Sequence, residues 1–344
     1  MAINRQIVLI KHCVGAPTPA NFGLVESAVP EPEPGEFLVR NLYFSLEPAI
    51  RGWLEGKANY FEPIPINGVV RGPSVARVVR SKNPDFKAGE IVFGLAHWED
   101  YSVFNAQTIL LEKLQPYLGT PISYCVGALG GSGQTAYVGL HEVGRIKPGQ
   151  TVVISAAAGA TGGMAGQIAA IHGCNVIGIV GSEDKATLIT GQLGFHAAIN
   201  YRASPDLAAA VMQLAPDGVD VYFDNVGGPT LNAMLLTMKT QGRIVACGMI
   251  SDYNRSEDPN PITNLWQVVA RQLTIQGFLL YSFADALPAA RAHLNRWVAE
   301  GKIKVLEHIT RGIANTPAAY AELMSGKTVG KALVELDLPE ETSS

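Results

Sequence analysis

The sequence predicts an α/β protein with a doubly wound parallel sheet in its C-terminal half and a β-rich domain before it. Residues 1–127 contain β-branched runs punctuated by Pro and Gly, such as RQIVLIK and GPSVARVVRSK, a pattern typical of a barrel or sandwich. From Thr151 onward, apolar strand runs alternate with helical segments, which indicates βαβ units and a parallel sheet covered on both faces. The 344 residues exceed the usual size of one hydrophobic core, so we expect two domains.

The composition excludes several classes of protein. The hydrophobic fraction is 47% and the charged fraction 16%, a balance typical of a globular protein and not of a disordered one. A net charge of -4 with dispersed Lys and Arg offers no surface for nucleic acid or an anionic membrane. No stretch is long and apolar enough for a signal peptide or a membrane span, so we expect a cytoplasmic protein. Cys13, Cys125, Cys174 and Cys247 form no C-x-x-C pair, so neither a disulfide framework nor a structural zinc site is expected.

The C-terminal half is predicted to contain six strands joined by helices. The strands are predicted at 151–155, 175–180, 197–200, 219–224, 242–247 and 274–280, and the helices near 163–172, 184–193, 205–214, 229–238 and 263–271. Ser204 is expected to cap the third helix, with Pro205 at its first position. A further helix near 285–300 precedes the tail GKTVGKALVELDL, whose strand-like alternation predicts pairing with the N-terminal domain. Six strands with intervening helices suffice for a Rossmann-type dinucleotide fold.

A glycine-rich segment follows the first of these strands, in the run TVVISAAAGATGGMAGQIAAIHG. Gly159 is predicted to form a tight turn, Gly162 to let the backbone approach a pyrophosphate, and Gly166 to let the helix pack on the sheet. The helix N-terminus would then offer N–H groups and a positive dipole to the phosphates. The strand before and the helix after favour a dinucleotide site over a glycine-rich turn in an unliganded α/β domain.

The end of the second strand bears on the choice of cofactor. It reads IVGSEDK, where an NAD-binding enzyme usually carries an acidic residue for the ribose diol. Gly181 and Ser182 stand there instead, and Lys185 follows within reach of a 2′-phosphate. Tyr201 and Arg202 end the third strand nearby. The pattern favours NADPH, and the two acidic residues of the same segment leave NADH as the alternative.

Several segments, taken in order, resemble one family: AAAGATGGMAGQIA, GSEDK, FDNVGG, GRIVACGMISDYN, QGFLLY and VGKALVEL. They resemble the zinc-independent medium-chain dehydrogenases/reductases of the prostaglandin reductase, leukotriene B4 12-hydroxydehydrogenase and curcumin reductase type. The resemblance implies a GroES-like catalytic domain at 1–127, an NADP-binding Rossmann domain at 128–311 and a C-terminal segment at 312–344 that returns to the catalytic domain. It also implies a homodimer.

No catalytic metal is expected. Zinc-dependent relatives need a G-H-E segment near Val69, where this chain has GVVRGPS. The seven histidines, including His12, His97 and His172, form no ligand-spaced cluster and are expected to be exposed or to have satisfied hydrogen bonds.

The resemblance, together with the glycine-rich turn and the strand end, assigns a cofactor site. The residues expected to bind NADPH are Gly159, Ala160, Thr161, Gly162, Gly163, Gly181, Ser182, Lys185, Tyr201, Asn225, Cys247, Gly248, Met249, Ile250, Ser251, Tyr253, Phe278, Leu279 and Leu280. The turn residues would contact the pyrophosphate, Lys185 and Tyr201 the 2′-phosphate, and Asn225 the sugar. The later residues would line the adenine and nicotinamide ends.

The expected activity is NADPH-dependent reduction of the conjugated C=C bond of enones and enals. Hydride goes to the β-carbon and a proton to the α-carbon, and the site must stabilise the enolate in between. Tyr253 and, second, Tyr60 are the candidate enolate donors, together with the ribose hydroxyl of the cofactor. A quinone oxidoreductase on the same fold and a non-catalytic NADPH-binding protein are the alternatives.

The substrate pocket is expected to be wide. Ala49 and Gly131 stand where the family carries larger side chains. The remaining aromatic residues expected to line the pocket are Trp53, Tyr60, Trp98, Tyr253 and Tyr281. Aromatic walls with few polar groups favour flat apolar ligands, so aryl enones are expected to be preferred over short alkenals.

Overall fold

The structure is a computed structural model that describes residues 3–57, 61–114, 120–255 and 257–337. The chain divides into two units, one formed by residues 1–127 and 307–344 and the other by residues 128–306. The strands are β1 (Ile3–Leu9), β2 (Phe22–Ala28), β3 (Phe37–Ser45), β4 (Arg71–Ser81), β5 (Ile91–His97), β6 (Tyr101–Phe104), β7 (Glu112–Leu114), β8 (Thr151–Ser155), β9 (Asn175–Val180), β10 (Ala197–Asn200), β11 (Val219–Asp224), β12 (Met238–Ala246), β13 (Thr274–Gly277), β14 (Glu307–Arg311) and β15 (Lys331–Glu335). The α-helices are α1 (Gly131–Val138), α2 (Ala160–Ile171), α3 (Glu183–Gln192), α4 (Leu207–Leu214), α5 (Gly228–Leu235), α6 (Trp266–Ala270), α7 (Leu287–Ala299) and α8 (Thr316–Met324). Among the described residues, no helix is both long and apolar enough to cross a membrane.

The first unit is built on a seven-stranded sheet. Its strands follow the order β14-β15-β3-β4-β5-β7, with β6 paired to β3, and a separate ribbon joins β1 to β2. β15 runs antiparallel to β3, with Leu333 opposite Ser45, so the C-terminal tail joins a strand from the N-terminal part. β14 pairs with β15 and therefore belongs to the same unit. The second junction consequently lies at 306/307 and not at the predicted 311/312.

Aromatic side chains fill the core of the first unit. Trp98 is fully buried, with its ring stacked on Phe44 at 5.8 Å and edge-on to Tyr320 at 5.4 Å between centroids. Its carbonyl accepts from the Ile7 N–H at 2.8 Å, which fixes this residue beside β1. Trp53 is buried in the same cluster. The expectation that Trp53 and Trp98 line a substrate pocket is therefore wrong, because both rings are enclosed by core side chains.

The second unit contains a six-stranded sheet that is parallel throughout. The strand order is β10-β9-β8-β11-β12-β13, which corresponds to the 3-2-1-4-5-6 order of the Rossmann dinucleotide fold. Val152, Val153 and Ile154 of β8 are fully buried, as a central parallel strand covered on both faces requires. The predicted fold class is confirmed.

Four of the six strands of this sheet have the predicted bounds. β8, β9, β10 and β11 have the predicted bounds. β12 begins at Met238, earlier than predicted, and β13 ends at Gly277 rather than at Leu280. β13 ends there because its partner β12 ends at Ala246, opposite Gly277.

Several helix starts differ from the prediction. α6 begins at Trp266 rather than near 263 and α7 at Leu287 rather than near 285, and the starts of α2 and α4 bear on individual residue predictions. α2 begins at Ala160 and not near Gly163, so most of the glycine-rich segment lies within the helix. α4 begins at Leu207, and Asp206 caps it by accepting the Ala209 N–H at 2.9 Å. The predicted cap at Ser204 is wrong, because the Asp206 carboxylate lies closer to the first turn and takes the capping position.

Candidate cofactor and active site

The carboxyl ends of β8 and β11 mark the point where the strand order of the second unit reverses. The chain passes from β8 to β9 on one side and from β11 to β12 on the other. Open α/β sheets bind ligands in the crevice outside such a switch point. The turn after β8 and the loop after β11 are therefore the first elements of the candidate site.

The turn after β8 is tight, and its strained position is not a glycine. Ala156 has a φ of +49°, in the left-handed region that a side chain disfavours. Gly159 closes the turn by donating its N–H to the Ala156 carbonyl at 2.9 Å. A Cβ on Gly162 would lie 2.4 Å from that same carbonyl oxygen. Gly162 is thus required for α2 to approach the backbone of the turn.

The N-terminus of α2 offers donors to an anion. No side chain caps this helix. The N–H groups of Ala160, Thr161 and Gly162 precede the first intrahelical bond, in which the Gly163 N–H donates to the Gly159 carbonyl at 2.8 Å. Such N–H groups and the helix dipole together attract negative charge. These residues can hold a pyrophosphate.

Polar and aromatic side chains converge at the carboxyl end of β9. Ser182 caps α3, and its hydroxyl accepts from the Lys185 N–H at 3.3 Å. A Cβ on Gly181 would lie 3.2 Å from the Tyr201 ring, so the missing side chain leaves room for that ring. Arg202 Nε donates to the Tyr201 hydroxyl at 3.3 Å. The structure brings these five residues to one place.

The charges at this end suit a phosphate. Burial lowers the pKa of the Lys185 ammonium, and the neighbouring charge of Arg202 lowers it further. A dianion between two such cations relieves their repulsion and accepts their hydrogen bonds. Glu183, which could compete for a ribose diol, is engaged elsewhere, since its Oε1 accepts from Asn200 Nδ2 at 2.7 Å.

Asp224 is a buried acid at the end of β11 that sequence reasoning did not single out. Its Oδ1 accepts from the Tyr222 hydroxyl at 2.7 Å and from the N–H groups of Val226 and Gly227, each at 2.9 Å. Burial raises the pKa of this carboxyl, and the hydrogen bonds oppose the shift. The available signal was a carboxylate directly after the apolar run of a strand, at the switch point.

The loop after β11 connects three strand ends. Asn225 Nδ2 donates to the Ser155 carbonyl at 2.7 Å, at the end of β8. The N–H groups of Cys247 and Gly248 donate to the Asp224 carbonyl at 2.8 and 3.0 Å, just after β12. Asn225, the predicted sugar contact, is therefore held in a fixed position between β8 and β12.

The predicted segment after β12 lies alongside this loop. The Ile250 N–H donates to the Asn225 carbonyl at 3.2 Å, and Ser251 Oγ donates to the Val226 carbonyl at 2.6 Å. Burial raises the pKa of the Cys247 thiol to about 12, so this thiol stays protonated at neutral pH. The structure brings the segment from Cys247 to Ser251 beside Asn225.

Tyr253 folds back over the same segment. Its hydroxyl oxygen accepts from the Met249 N–H at 3.4 Å, and a Cβ on Gly248 would lie 3.2 Å from it. Burial raises the pKa of this phenol, with further contributions from Cys247 and Asp224. The hydroxyl stays protonated at neutral pH and can donate a hydrogen bond.

The residues after β13 form a further predicted part of the site. A Cβ on Gly139 would lie 2.9 Å from the Phe278 ring, and that ring is edge-on to Phe283 at 6.1 Å. Leu279 is largely exposed, and Leu280 begins a 3₁₀ turn. Phe278 is thus held by packing, whereas Leu279 presents its side chain to solvent.

The remaining predictions concern the catalytic candidate Tyr60, the pocket residue Tyr281 and the absence of a metal site. Tyr60 lies outside the described residues, so its catalytic role stays a prediction. Tyr281 is 54% exposed. Across residues 3–57, 61–114, 120–255 and 257–337, no group of three or more His, Cys, Asp or Glu side chains could hold a metal ion.

Comparison with known proteins decides the family. A family model described as the N-terminal domain of oxidoreductase matches residues 5–111, and one described as zinc-binding dehydrogenase matches residues 160–296. The NADPH-dependent curcumin reductase of Escherichia coli (strain K12) is 36% identical over 338 residues, which cover 97% of each chain. This chain belongs to the zinc-independent medium-chain reductases.

Other medium-chain reductases are similar over comparable lengths. Prostaglandin reductase 1 of Bos taurus is 39% identical over 333 residues, covering 95% of this chain and 97% of the relative. The crystal structure of CurA from Vibrio vulnificus in complex with NADPH superposes with a TM-score of 0.90 at 37% identity. That superposition covers 97% of this chain and 100% of CurA.

Proposed function

We propose that this medium-chain reductase uses NADPH to reduce the conjugated C=C bond of enones and enals. The observation that supports NADPH as the cofactor is the pair of cations, Lys185 and Arg202, beside Tyr201 at the end of β9. Relatives named NADPH-dependent curcumin reductase and 2-alkenal reductase, each 36% identical, support the substrate class, because both names refer to conjugated carbonyl compounds.

The residues of the second unit suit NADPH along its length. The first-turn N–H groups of α2 would hold the pyrophosphate, and the end of β9 would hold the 2′-phosphate. Asn225 would contact the sugar between the ends of β8 and β12. The segment from Cys247 to Tyr253 and the residue Phe278 would lie toward the nicotinamide.

Tyr253 is proposed to stabilise the charge that develops during the reaction. A bound NADPH supplies the hydride that adds to the β-carbon of the substrate. The electron pair of the C=C bond then shifts to the carbonyl oxygen, and the Tyr253 hydroxyl donates a hydrogen bond to that oxygen. Because the pKa of Tyr253 is raised, it remains a hydrogen-bond donor, and water delivers the proton that completes the saturated product at the α-carbon. Tyr60 remains the second candidate donor.

The substrate is proposed to be an aryl enone rather than a short alkenal. Among the described residues, no heavy atom lies within 4 Å of a Cβ built on Gly131, which supports open space at that position. Trp53 and Trp98 lie in the core of the first unit and are no longer proposed as pocket residues. Tyr253 and Tyr281 of the second unit remain proposed, and Tyr60 stays a prediction from the sequence.

The assembly is proposed to be a homodimer that forms along β13. β13 is an edge strand that, among the described residues, pairs with β12 alone. Trp266, which begins α6, is 70% exposed, and Leu265 and Val269 beside it are also exposed. An open strand edge next to exposed apolar side chains suits burial by a second copy. Analytical ultracentrifugation should show a dimer that Trp266→Glu weakens, and a monomeric wild type would contradict the assembly.

The test of the activity is NADPH oxidation with a panel of acceptors. The purified protein is incubated with NADPH and a diaryl enone, a short alkenal or a quinone, and the products are identified by mass spectrometry. We expect one saturated carbonyl product per NADPH oxidised. Turnover of the quinone alone would indicate a quinone oxidoreductase, and tight NADPH binding without turnover would indicate a non-catalytic binding protein. Either result contradicts the proposal.

A further inference from the structure

Five rings pack together in the second unit: Tyr137, His141, His172, His293 and Trp297, here called the ring cluster. The centroids of His141 and His172 are 4.4 Å apart, those of Tyr137 and His141 4.3 Å, and those of His293 and Trp297 5.3 Å. The rings come from α1, from the residues that follow α1 and α2, and from α7. The expectation that all seven histidines are exposed or satisfied is wrong for His141 and His172, because each has a buried Nε2 atom with no hydrogen-bond partner among the described residues.

The ring cluster is built for neutral imidazoles. The Tyr137 hydroxyl lies 2.8 Å from His293 Nδ1. The Nε2 atoms of His141 and His172 are buried and have no hydrogen-bond partner in the part of the chain that the structure describes. A protonated ring would place a charge and an N–H without an acceptor at these positions. Burial lowers the pKa of His141 to about 4, and the charges of His172 and His293 lower it further.

The charges around the ring cluster do not compensate a protonated ring. Burial also lowers the pKa of His172, reinforced by the charge of His293, so each protonated ring opposes the next. The charge of Glu142 helps to raise the pKa of the Tyr137 phenol. Arg243 Nε donates to the Val143 carbonyl at 2.8 Å. The other charged residues on the helices and the π-turn of the cluster are Glu142, Arg291 and Arg296, and β12, which contacts the π-turn through Arg243, also carries Lys239.

One turn of π-helix connects the ring cluster to the candidate site. This π-turn (Gly139–Val143) carries His141 and directly continues α1. A Cβ on Gly139 would lie 2.6 Å from the Phe223 ring and 2.9 Å from the Phe278 ring. Phe223 precedes Asp224 in β11, and Phe278 is a predicted nicotinamide contact. A displacement of the π-turn therefore changes the support beneath Phe278.

We propose that the ring cluster is a proton-sensitive support of the π-turn, coupled through Phe278 to the NADPH site. The coupling rests on the proposed function. The cluster takes up protons when the π-turn opens, so opening becomes easier as the pH falls below the ordinary histidine value of 6.5. With a pKa of about 4 when closed and 6.5 when open, His141 alone raises the opening equilibrium about 10-fold between pH 7.5 and pH 5.5.

The direct readout is hydrogen exchange at the Gly144 amide, which donates across the π-turn to the Gly139 carbonyl at 2.8 Å. Its protection is measured by NMR at pH 7.5 and 5.5, with and without saturating NADPH. His141→Phe keeps a ring and removes the titration. His308→Gln, at a partly exposed histidine of the first unit, is the matched control.

We expect the opening equilibrium of the wild type and of His308→Gln to rise about 10-fold at pH 5.5, and that of His141→Phe to rise clearly less. NADPH should suppress opening in all three, since a ligand that prefers the closed form must stabilise it. Equal pH dependence in wild type and His141→Phe would overturn the support role. If NADPH binds and the exchange protection of the Gly144 amide does not change, the coupling is overturned. If NADPH does not bind at pH 7.5, the proposed function fails while the variant comparison still decides the cluster. Should His141→Phe not fold, His172→Phe serves the same comparison.

Discussion

The Tyr222 hydroxyl donates a 2.7 Å hydrogen bond to the carboxylate of Asp224, two residues further along β11. Residues two apart in a strand point to the same face, which allows this contact within one strand. Both side chains are buried, so the bond is shielded from water. The phenol thereby supports the carboxylate that holds the loop beside Asn225.

Replacing the acid should be far more costly than replacing the phenol. Asp224→Ala leaves the Tyr222 hydroxyl and two backbone N–H groups without their acceptor, and we expect a loss of about 3 kcal/mol or more in the free energy of unfolding. Tyr222→Phe removes one donor and should cost about 1 kcal/mol. Urea unfolding measures both. Equal losses in the two variants would show that Asp224 does not have this connecting role.

Cofactor choice should depend on the two cations at the end of β9. Lys185→Ala and Arg202→Ala should each weaken the binding free energy of NADPH by about 1–3 kcal/mol, the value of a charge-assisted hydrogen bond to phosphate. The Kd of NADH should stay nearly unchanged. Lys302→Ala, in a surface ion pair of the same unit, is the control. Parallel weakening of NADH and NADPH would remove the 2′-phosphate assignment.

Tyr253→Phe should lower kcat while retaining the cofactor. Losing one donor to a developing oxyanion costs on the order of 10²-fold in rate, and the Kd of NADPH should change little. The pKa of Tyr253 is raised above its ordinary value of 10. Deprotonation of this phenol should therefore not lower the rate of the wild type at any pH below 10. Steady-state kinetics test this, with Tyr101→Phe as the control, since the Tyr101 hydroxyl accepts from Arg40 at 2.9 Å and has no proposed catalytic role. An unchanged kcat in Tyr253→Phe would exclude the proposed donor.

Two glycines in neighbouring helices should respond in opposite directions to the same substitution. A Cβ on Gly166 would lie 1.8 Å from the Phe195 ring, so Gly166→Ala in α2 should destabilise the protein by about 1–3 kcal/mol through overpacking. Gly191 in α3 has nothing within 4 Å of its Cβ position, so Gly191→Ala should stabilise by up to about 1 kcal/mol. Thermal unfolding compares them, and destabilisation by both would contradict the packing argument.

The selectivity of the enzyme for large over small substrates should depend on the small side chain of Ala49. Ala49→Tyr should lower kcat/KM for a diaryl enone about 10-fold, the effect of excluding roughly two methylene equivalents, and spare a short alkenal. Ala49→Ser controls for polarity without added bulk. If the ratio of the two kcat/KM values is the same in wild type and Ala49→Tyr, the preference for aryl enones is unsupported.

Sequence reasoning succeeded where the determining interactions are local. Runs such as TVVIS and VDVYFD specify buried strands by their own apolar length, and β8 and β11 have the predicted bounds. Ser182 and Lys185 are separated by less than one helical turn, so their proximity follows from the start of α3. The end of β13 was missed because it depends on where β12 stops.

Features assembled from distant segments were not predictable. Aromatic residue type does not reveal whether a ring lines a pocket or a core, and Trp98 packs on Tyr320 from the far end of the chain. His141, His172 and His293 lie on different elements, so their spacing in the sequence carries no signal of contact. The position of Asp224 after a strand could have been noticed, but its contacts with the Val226 and Gly227 N–H groups depend on the path of the loop, which no pattern of side chains records.

The position of β15 between β3 and β14 has a consequence for biosynthesis. In the part of the chain that the structure describes, residues 332–336 supply the partner for the edge of β3 that includes Tyr43 and Ser45. A ribosome releases those residues after the whole of 128–306, which is continuous in sequence. Domains generally fold as units during synthesis. The nucleotide-binding unit can therefore acquire its fold on the nascent chain while the unit begun first still exposes an open strand edge to chaperones.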